Sequence, residues 1–406
     1  MKTALVHDYL AEYGGAERVL EAIHEIWPSA PVFTSICAPN VVAELALPVE
    51  QAKQASLLQS VPFVSKLAKV FTFFMPLIFE NLDLREYDLV ISDGTIWSKG
   101  VLTTPEQLHI HYCHTPPRWL YGYPGETDRR RLWYLQPILK PLDNWLRVWD
   151  FESAQRPDYI VANSKTVAER VRKFWRREAV VIYPPVDLKL ETGSLKVEAR
   201  KEARNWKLDN SSLKPPASSP ASSLQLPASY FLVVSRLSAY KNVNLAIEAC
   251  NKLNLPLVVV GTGREEERLK RMVGPTVKFC KNLKDSELSE LYRHCKALIF
   301  PVSDEDFGIV PVEAMSFGKP VIALRSGGVQ ETVVEGKTGV FFNEPTAESL
   351  IKTIHQFNHL TIRPEDCIAQ AAKFSKERFQ KEFKGFVEER WSEKILNPKF
   401  EAPNKP

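Results

Sequence analysis

Short apolar runs alternate with helix-length amphipathic stretches through both halves of the chain, and this alternation narrows the fold more than any other feature. Residues 2–7, 87–92, 107–113 and 158–164 read as strands in the first half. Residues 230–235, 257–260, 277–283, 297–300 and 320–324 do so in the second. Between them lie helical stretches at 15–26, 165–175, 243–252 and 285–294, with Ser164 placed as an N-cap. Strand and helix alternating with no repeat of fixed period predict doubly wound α/β domains. At 406 residues the chain is too long for one core and suits two. Its 44% hydrophobic and 25% charged residues are those of a soluble globular protein, and a net charge of +4 is too small to imply a nucleic-acid partner. The six cysteines form no CxxC pair and no zinc spacing, so free thiols in a reducing cytosol are expected. The N-terminal apolar run is too short for a signal peptide, and no run approaches the roughly 20 residues that cross a bilayer.

Chemistry-bearing residues gather where strands run into helices. After the run 297–300 comes Val302-Ser-Asp-Glu-Asp-Phe-Gly-Ile-Val-Pro-Val-Glu-Ala-Met315, which puts Glu305 in a loop and Glu313 about one turn into a helix. Carboxylates at the carboxyl end of a parallel strand stand where open α/β sheets bind ligands, and the helix start adds unpaired N–H groups. An acidic loop capping a surface helix is the plain alternative. Gly14-Gly15 separates the first strand from the first helix, an arrangement that admits a phosphate or merely makes a tight turn. Arg236 and Lys241 share a strand-to-helix loop, where two fixed cations suit a diphosphate or are simply solvated. His114 ends the strand 107–113 and opens a proline-stiffened loop, whereas His109 and His111 alternate within the strand and read as structural. Leu257-Val-Val-Val-Gly-Thr-Gly263 begins like a dinucleotide fingerprint, but Glu266 occupies the third glycine position, which argues against a hydride-transfer cofactor.

Together, Glu305-x7-Glu313 with Phe307-Gly308, Tyr112-Cys-His-Thr-Pro116, Gly14-Gly-Ala-Glu-Arg18 and Ile182-Tyr-Pro-Pro-Val-Asp187 resemble the retaining GT-B glycosyltransferases of the family-4 type. The resemblance is closest to bacterial mannosyltransferase-like members that build surface polysaccharides, and it spans nearly the whole chain. It implies the GT-B fold, two Rossmann-like domains facing across a cleft. The implied divisions are 1–185 for the acceptor-side domain, 186–229 for a linker with a Pro/Ser-rich insertion, 230–365 for the nucleotide-sugar domain, and 366–406 for a helix crossing back and a tail. It implies transfer of a hexose, with mannose from GDP-mannose favoured, to a lipid-linked or saccharide acceptor with retention of configuration. By the same carry-over His114 and Glu305 serve catalysis, and Gly14, Gly15, Arg236 and Lys241 hold the donor diphosphate. Phe307, Gly308 and Ile309 hold the donor sugar, and Glu313 holds the ribose. Arg and Lys then stand where other transferases use a metal, so neither metal nor cofactor is expected, although Asp304-Glu-Asp306 superficially matches a metal-binding DxD. Alternatives are a UDP-sugar donor, a nucleotide-sugar epimerase of the same fold, and a non-catalytic nucleotide-sugar-binding scaffold.

Two segments bear on location. Residues 61–79 carry an apolar helical stripe flanked by Lys66 and Lys69, and 129–149 mix arginines with Trp133, Tyr134, Trp145 and Trp149. Each suits either a membrane interface or a packed helix with one solvated side. The expectation is a cytoplasmic protein able to dock peripherally on the inner membrane face. The tract Lys214-Pro-Pro-Ala-Ser-Ser-Pro-Ala-Ser-Ser223 lacks the apolar residues to fold and reads as a disordered insertion.

Overall fold

The computed structural model describes residues 1–11, 13–45, 52–54, 74–123, 134, 136–187 and 229–396. The Pro/Ser-rich insertion, residues 61–73 and residues 129–133 lie outside these, so the expectations placed on them are not met or contradicted by the fold.

The chain divides into two compact units, Met1–Pro185 with Lys376–Pro406, and Val186–Ser375. The division falls after the double proline Pro184-Pro185. In the first unit seven strands, β1 (Thr3–His7), β2 (Val32–Thr34), β3 (Ala52–Gln54), β4 (Leu89–Gly94), β5 (Leu108–Cys113), β6 (Tyr159–Ala162) and β7 (Val180–Val181), form one parallel sheet in the order β3-β2-β1-β4-β5-β6-β7. Every residue of β1, β4 and β5 is buried, as strands covered on both faces by helices must be. Polar residues inside β4 and β5 answer one another: the Ser92 Oγ lies 2.8 Å from His109 Nε2 and 3.0 Å from His111 Nδ1. The helix Lys165–Trp175 starts where expected, with Ser164 Oγ accepting the Val167 N–H at 3.0 Å.

The second unit carries β8 (Phe231–Val234), β9 (Leu257–Val260), β10 (Val277–Cys280), β11 (Ala297–Phe300), β12 (Val321–Leu324) and β13 (Gly339–Phe342), parallel throughout in the order β10-β9-β8-β11-β12-β13. Each of the two sheets therefore reverses its strand order once, between β1 and β4 and between β8 and β11. The glycines after β9 have a packing reason: a Cβ on Gly261 would lie 1.9 Å from the Ser235 carbonyl oxygen, and one on Gly263 would lie 2.3 Å from that of Leu237. They let the loop that carries Arg236 lie flat against β9.

The charged C-terminal region is helical but not continuous. Pro364–Ala371 belongs to the second unit, where Cys367 is buried and Gln370 Nε2 donates to the Thr332 carbonyl at 2.9 Å. Only Lys376–Leu396 belongs to the first unit, so the expected boundary at 365/366 moves ten residues on. That helix presents Phe379, Phe383, Phe386 and Val387 on one face, the i, i+4, i+7, i+8 spacing of a buried stripe. Phe379 and Phe383 meet the Tyr112 ring of β5 edge-on at 5.8 and 6.0 Å. All six cysteines are buried thiols.

Candidate active site

In the second unit the side chains at the strand-order reversal are Lys241 and Glu305. Lys241 closes a short 3-10 turn, Ala239–Lys241, after β8, and Glu305 lies in the loop after β11. Their Nζ and Oε2 are 2.7 Å apart, with both side chains mostly buried. Burial disfavours the Lys241 cation, but the Glu305 carboxylate outweighs burial and raises its pKa. Asn242 ties the two loops together, donating from Nδ2 to the Pro301 carbonyl at 3.1 Å and to Ser303 Oγ at 2.7 Å. Arg236 is exposed in the same β8 loop.

The Glu305 loop is braced from β12. The Gly328 N–H donates to the Glu305 carbonyl at 2.7 Å, and a Cβ on Gly327 would lie 2.2 Å from that same oxygen. Gly327 is thus required by close approach as well as by its φ of +74°. Gly308, at φ +93°, turns the chain into the helix Ile309–Ser316. Glu313 lies in that helix and accepts the Tyr292 hydroxyl at 3.0 Å. Phe307 and Ile309 do not stand alike: the Phe307 ring is 2% exposed and packs on Phe374 at 5.4 Å, so only its backbone is left for a ligand. The structure brings Lys241, Glu305, Phe307 and Gly308 into one pair of bonded loops.

In the first unit Gly14 caps the helix Gly15–Ile26, but its N–H is already taken by Glu17 Oε2 at 2.9 Å. His114 follows β5, and its Nε2 lies 2.6 Å from Asp93 Oδ1. The other oxygen, Asp93 Oδ2, is 3.0 Å from His7 Nδ1, and His7 Nε2 is 3.6 Å from Glu17 Oε1. Asp8, next in the chain, accepts four backbone N–H groups, those of Thr95, Ile96, Trp97 and Ser98, at 2.7 to 3.0 Å. This clamp closes over Gly94, where a Cβ would lie 2.5 Å from Asp8 Oδ1. Asp93, His7 and Glu17 were not among the expected site residues. Glu17 falls within the Gly14-Gly-Ala-Glu-Arg18 motif and His7 ends the strand before it, whereas for Asp93 the sequence offers only its position near a strand's end.

Burial disfavours the His7 cation, but hydrogen bonds and charges from Asp93 and Glu17 outweigh it and raise the pKa from 6.5 to about 10. Burial likewise disfavours the Asp93 anion, and His114 with His7 outweighs it, lowering the pKa from 3.8 to about 2. Among the described residues no group of three or more His, Cys, Asp or Glu side chains is arranged to hold a metal ion.

The two halves of the chain match separate family models, Glycosyltransferase Family 4 over residues 13–190 and Glycosyl transferases group 1 over residues 218–374. With an α/β sheet in each half and polar loops at both strand-order reversals, the chain belongs to the glycosyltransferases of this group 1 and family 4 type. It is an enzyme of the hexosyltransferase class. The Alpha-1,3/1,6-mannosyltransferase ALG2 of Debaryomyces hansenii is 26% identical over 422 aligned residues, which cover 88% of this chain and 82% of that protein. The sucrose-phosphate synthase of Thermosynechococcus elongatus superposes with a TM-score of 0.70 at 17% identity, covering 97% of this chain and all (100%) of that one. HepE of Anabaena, in complex with UDP, does so with a TM-score of 0.63 at 18% identity over 96% and 100% of the two chains. These likenesses are of fold, and the fold is GT-B, as the sequence led one to expect.

His7 gives this site a pH signature. Its folded pKa lies above its unfolded one, so its stabilisation is complete below pH 6.5 and fades as the pH rises to about 10. Each pKa unit is worth about 1.4 kcal/mol. The thermal midpoint of the wild type is expected to fall more steeply between pH 6.5 and 10 than that of His7→Gln. Parallel profiles in differential scanning fluorimetry would contradict the charged state assigned to His7.

Proposed function

We propose that this glycosyltransferase moves mannose from GDP-mannose to a lipid-linked saccharide, with retention of configuration, in polysaccharide biosynthesis. The observation that carries the donor site is the Lys241–Glu305 pair at the β8/β11 reversal, the place where doubly wound sheets bind nucleotides. Mannose is supported by the likeness to the Debaryomyces alpha-1,3/1,6-mannosyltransferase. A UDP-sugar donor is the second reading, favoured by the UDP and UDP-glucose complexes of HepE.

The chemical demand is departure of a nucleoside diphosphate from the sugar C1. Charge accumulates on the leaving phosphate, so fixed cations that need no rearrangement lower the barrier most. Lys241 meets that description because Glu305 already holds its ammonium in place. In this reading Arg236 and Lys241 neutralise the diphosphate and the Gly14-Gly15 turn offers it N–H groups. The Gly14 N–H becomes available once Glu17 releases it. Glu305, with the backbone from Phe307 to Ile309, orients the sugar hydroxyls, Glu313 accepts from the ribose, and His114 contacts the sugar near C1. Retention follows a front-face path in which the departing phosphate takes the acceptor's proton. The two cations serve where a metal would, so turnover proceeds without one.

The described residues also leave apolar side chains outside. Phe74 and Leu77 are 49% and 55% exposed, and Trp145 and Val148 are 41% and 57% exposed. Trp149 Nε1 donates to Glu80 at 2.8 Å, which links the two helices concerned, Met75–Glu80 and Gln136–Ser153. Their buried residues, Met75, Phe79, Leu146 and Trp149, are core, as the packed-helix reading expected. No helix among the described residues is long and apolar enough to cross a membrane. We propose that the exposed face rests peripherally on the cytoplasmic membrane surface, beside the lipid-linked acceptor.

Lys241→Ala and Glu305→Ala are each expected to lower turnover of GDP-mannose by about 100-fold or more while the circular dichroism spectrum is kept. Turnover within a few-fold of wild type in either variant would remove that residue from the mechanism. Activity is expected to survive excess EDTA; loss with EDTA and recovery with Mg2+ or Mn2+ would show a metal requirement. Trp145→Ser with Val148→Ser is expected to weaken co-sedimentation with anionic phospholipid vesicles, and unchanged co-sedimentation would move the docking face elsewhere.

A further inference from the structure

We propose that Asp93 is a positioning residue for His114, and that His7 and Glu17 complete a buried chain that fixes which nitrogen of His114 carries its proton. The proposal rests on the reading of His114 as the first unit's contact with the sugar.

The geometry is that of a bridging carboxylate. Asp93 Oδ1 meets His114 Nε2 at 2.6 Å, and Oδ2 meets His7 Nδ1 at 3.0 Å. The Asp93 and His7 side chains are 1% and 3% exposed, whereas His114 is 14% exposed and is the member that reaches the surface. An ionised carboxylate can only accept, so Nε2 of His114 must carry hydrogen. Its Nδ1 has no partner among the described residues and is the nitrogen left to meet a substrate hydroxyl. The backbone adds a second constraint, the His114 N–H donating to the Gly94 carbonyl at 3.2 Å.

His7 is what keeps Asp93 in this role. A buried carboxylate with one neutral partner would escape its desolvation cost by taking up a proton. The imidazolium of His7 supplies the counter-charge, so Asp93 stays an acceptor whatever the proton count of His114. Glu17 backs His7 from the far side, with Oε1 3.6 Å from Nε2, and its other oxygen holds the Gly14 N–H. One continuous chain of polar contacts thus runs from the Gly14-Gly15 turn to His114. The pairing of β1 with β4, from Thr3 with Leu89 to His7 with Asp93, is what brings the chain's members together. An oriented imidazole of fixed tautomer is a common need of reacting centres, and supporting side chains of this kind set ligand and base geometry elsewhere.

The test is the isosteric Asp93→Asn, read by steady-state kinetics and by long-range 15N–1H correlation spectra of histidine-labelled protein, with His114 assigned from the signal missing in His114→Gln. In the wild type His114 is expected as the Nε2–H form. In Asp93→Asn, whose amide can donate to Nε2, the Nδ1–H form is expected to appear. Turnover is expected to fall about 10–100-fold with donor KM within about twofold of wild type, the split of a group that orients rather than binds. A wild-type Nδ1–H signal, or Asp93→Asn with unchanged tautomer and turnover, would overturn the proposal. Should Asp93→Asn not fold, the wild-type spectrum decides the tautomer and His7→Gln decides the role of the chain, a smaller loss of turnover with donor KM held being expected and none contradicting it. Absence of any wild-type turnover would tell against the mannosyltransferase reading instead, leaving the tautomer measurement to decide this one.

Discussion

Everything that this chain offers a ligand depends on one constraint of parallel sheets, the single reversal of strand order in each. β1 lies beside β4, and β8 beside β11, and it is at such a reversal that the loops following neighbouring parallel strands part and leave room for a ligand. His7 ends β1, Asp93 is next to last in β4 and His114 follows β5, while Lys241 and Glu305 lie in the loops after β8 and β11. The remaining length of the strands is mostly apolar, which lets each sheet be buried on both sides.

Placing charge in such a crevice has an energetic condition, since a buried ion without a partner destabilises the fold by several kcal/mol. The same solution recurs three times. Lys241 is matched to Glu305 and His7 to Asp93. Behind the first unit's loops, fully buried Lys99 is matched to Asp150 at 2.6 Å, where Asp150 also accepts from Tyr121 and Trp175 at 2.7 Å. The third pair is scaffolding: it fastens the helix Gln136–Ser153 to the turn at Ser98–Gly100, which Asp8 orients from the other side. The first two stand at strand ends, Lys241–Glu305 partly exposed in its loops and His7–Asp93 buried behind His114. A charge held by its counter-ion before substrate arrives needs little reorganisation when the reaction calls on it.

Much of this could be read from sequence because it is local. Apolar runs four residues long mark β9 and β11, Ser164 marks a helix start, and Glu305, Gly308 and Glu313 fall within one strand-to-helix passage. What escaped is non-local or negative. Asp93 and His7 are 86 residues apart and meet only because β4 pairs with β1, a fact of topology that composition does not carry. Gly327 was visible but mute, since its reason is the Glu305 carbonyl arriving from another loop. Gly261 and Gly263, already set apart from a cofactor fingerprint by Glu266, proved to be clearance for the Arg236 loop. Phe307 lies within the motif, yet its ring serves the core and leaves only main chain to face outward. The C-terminal helices likewise hid their division, because Ala372–Phe374 continues the helical composition while turning the chain out of the second unit.

The proposal that the strand-order reversal of each unit contacts the donor is most directly measured by amide hydrogen exchange of the protein with and without GDP-mannose. Slowed exchange is expected in peptides covering residues 235–243 and 301–309 of the second unit, and 7–17 and 92–98 of the first. Protection confined to the opposite ends of the strands, or absent from all four segments at a donor concentration that saturates binding, would contradict it.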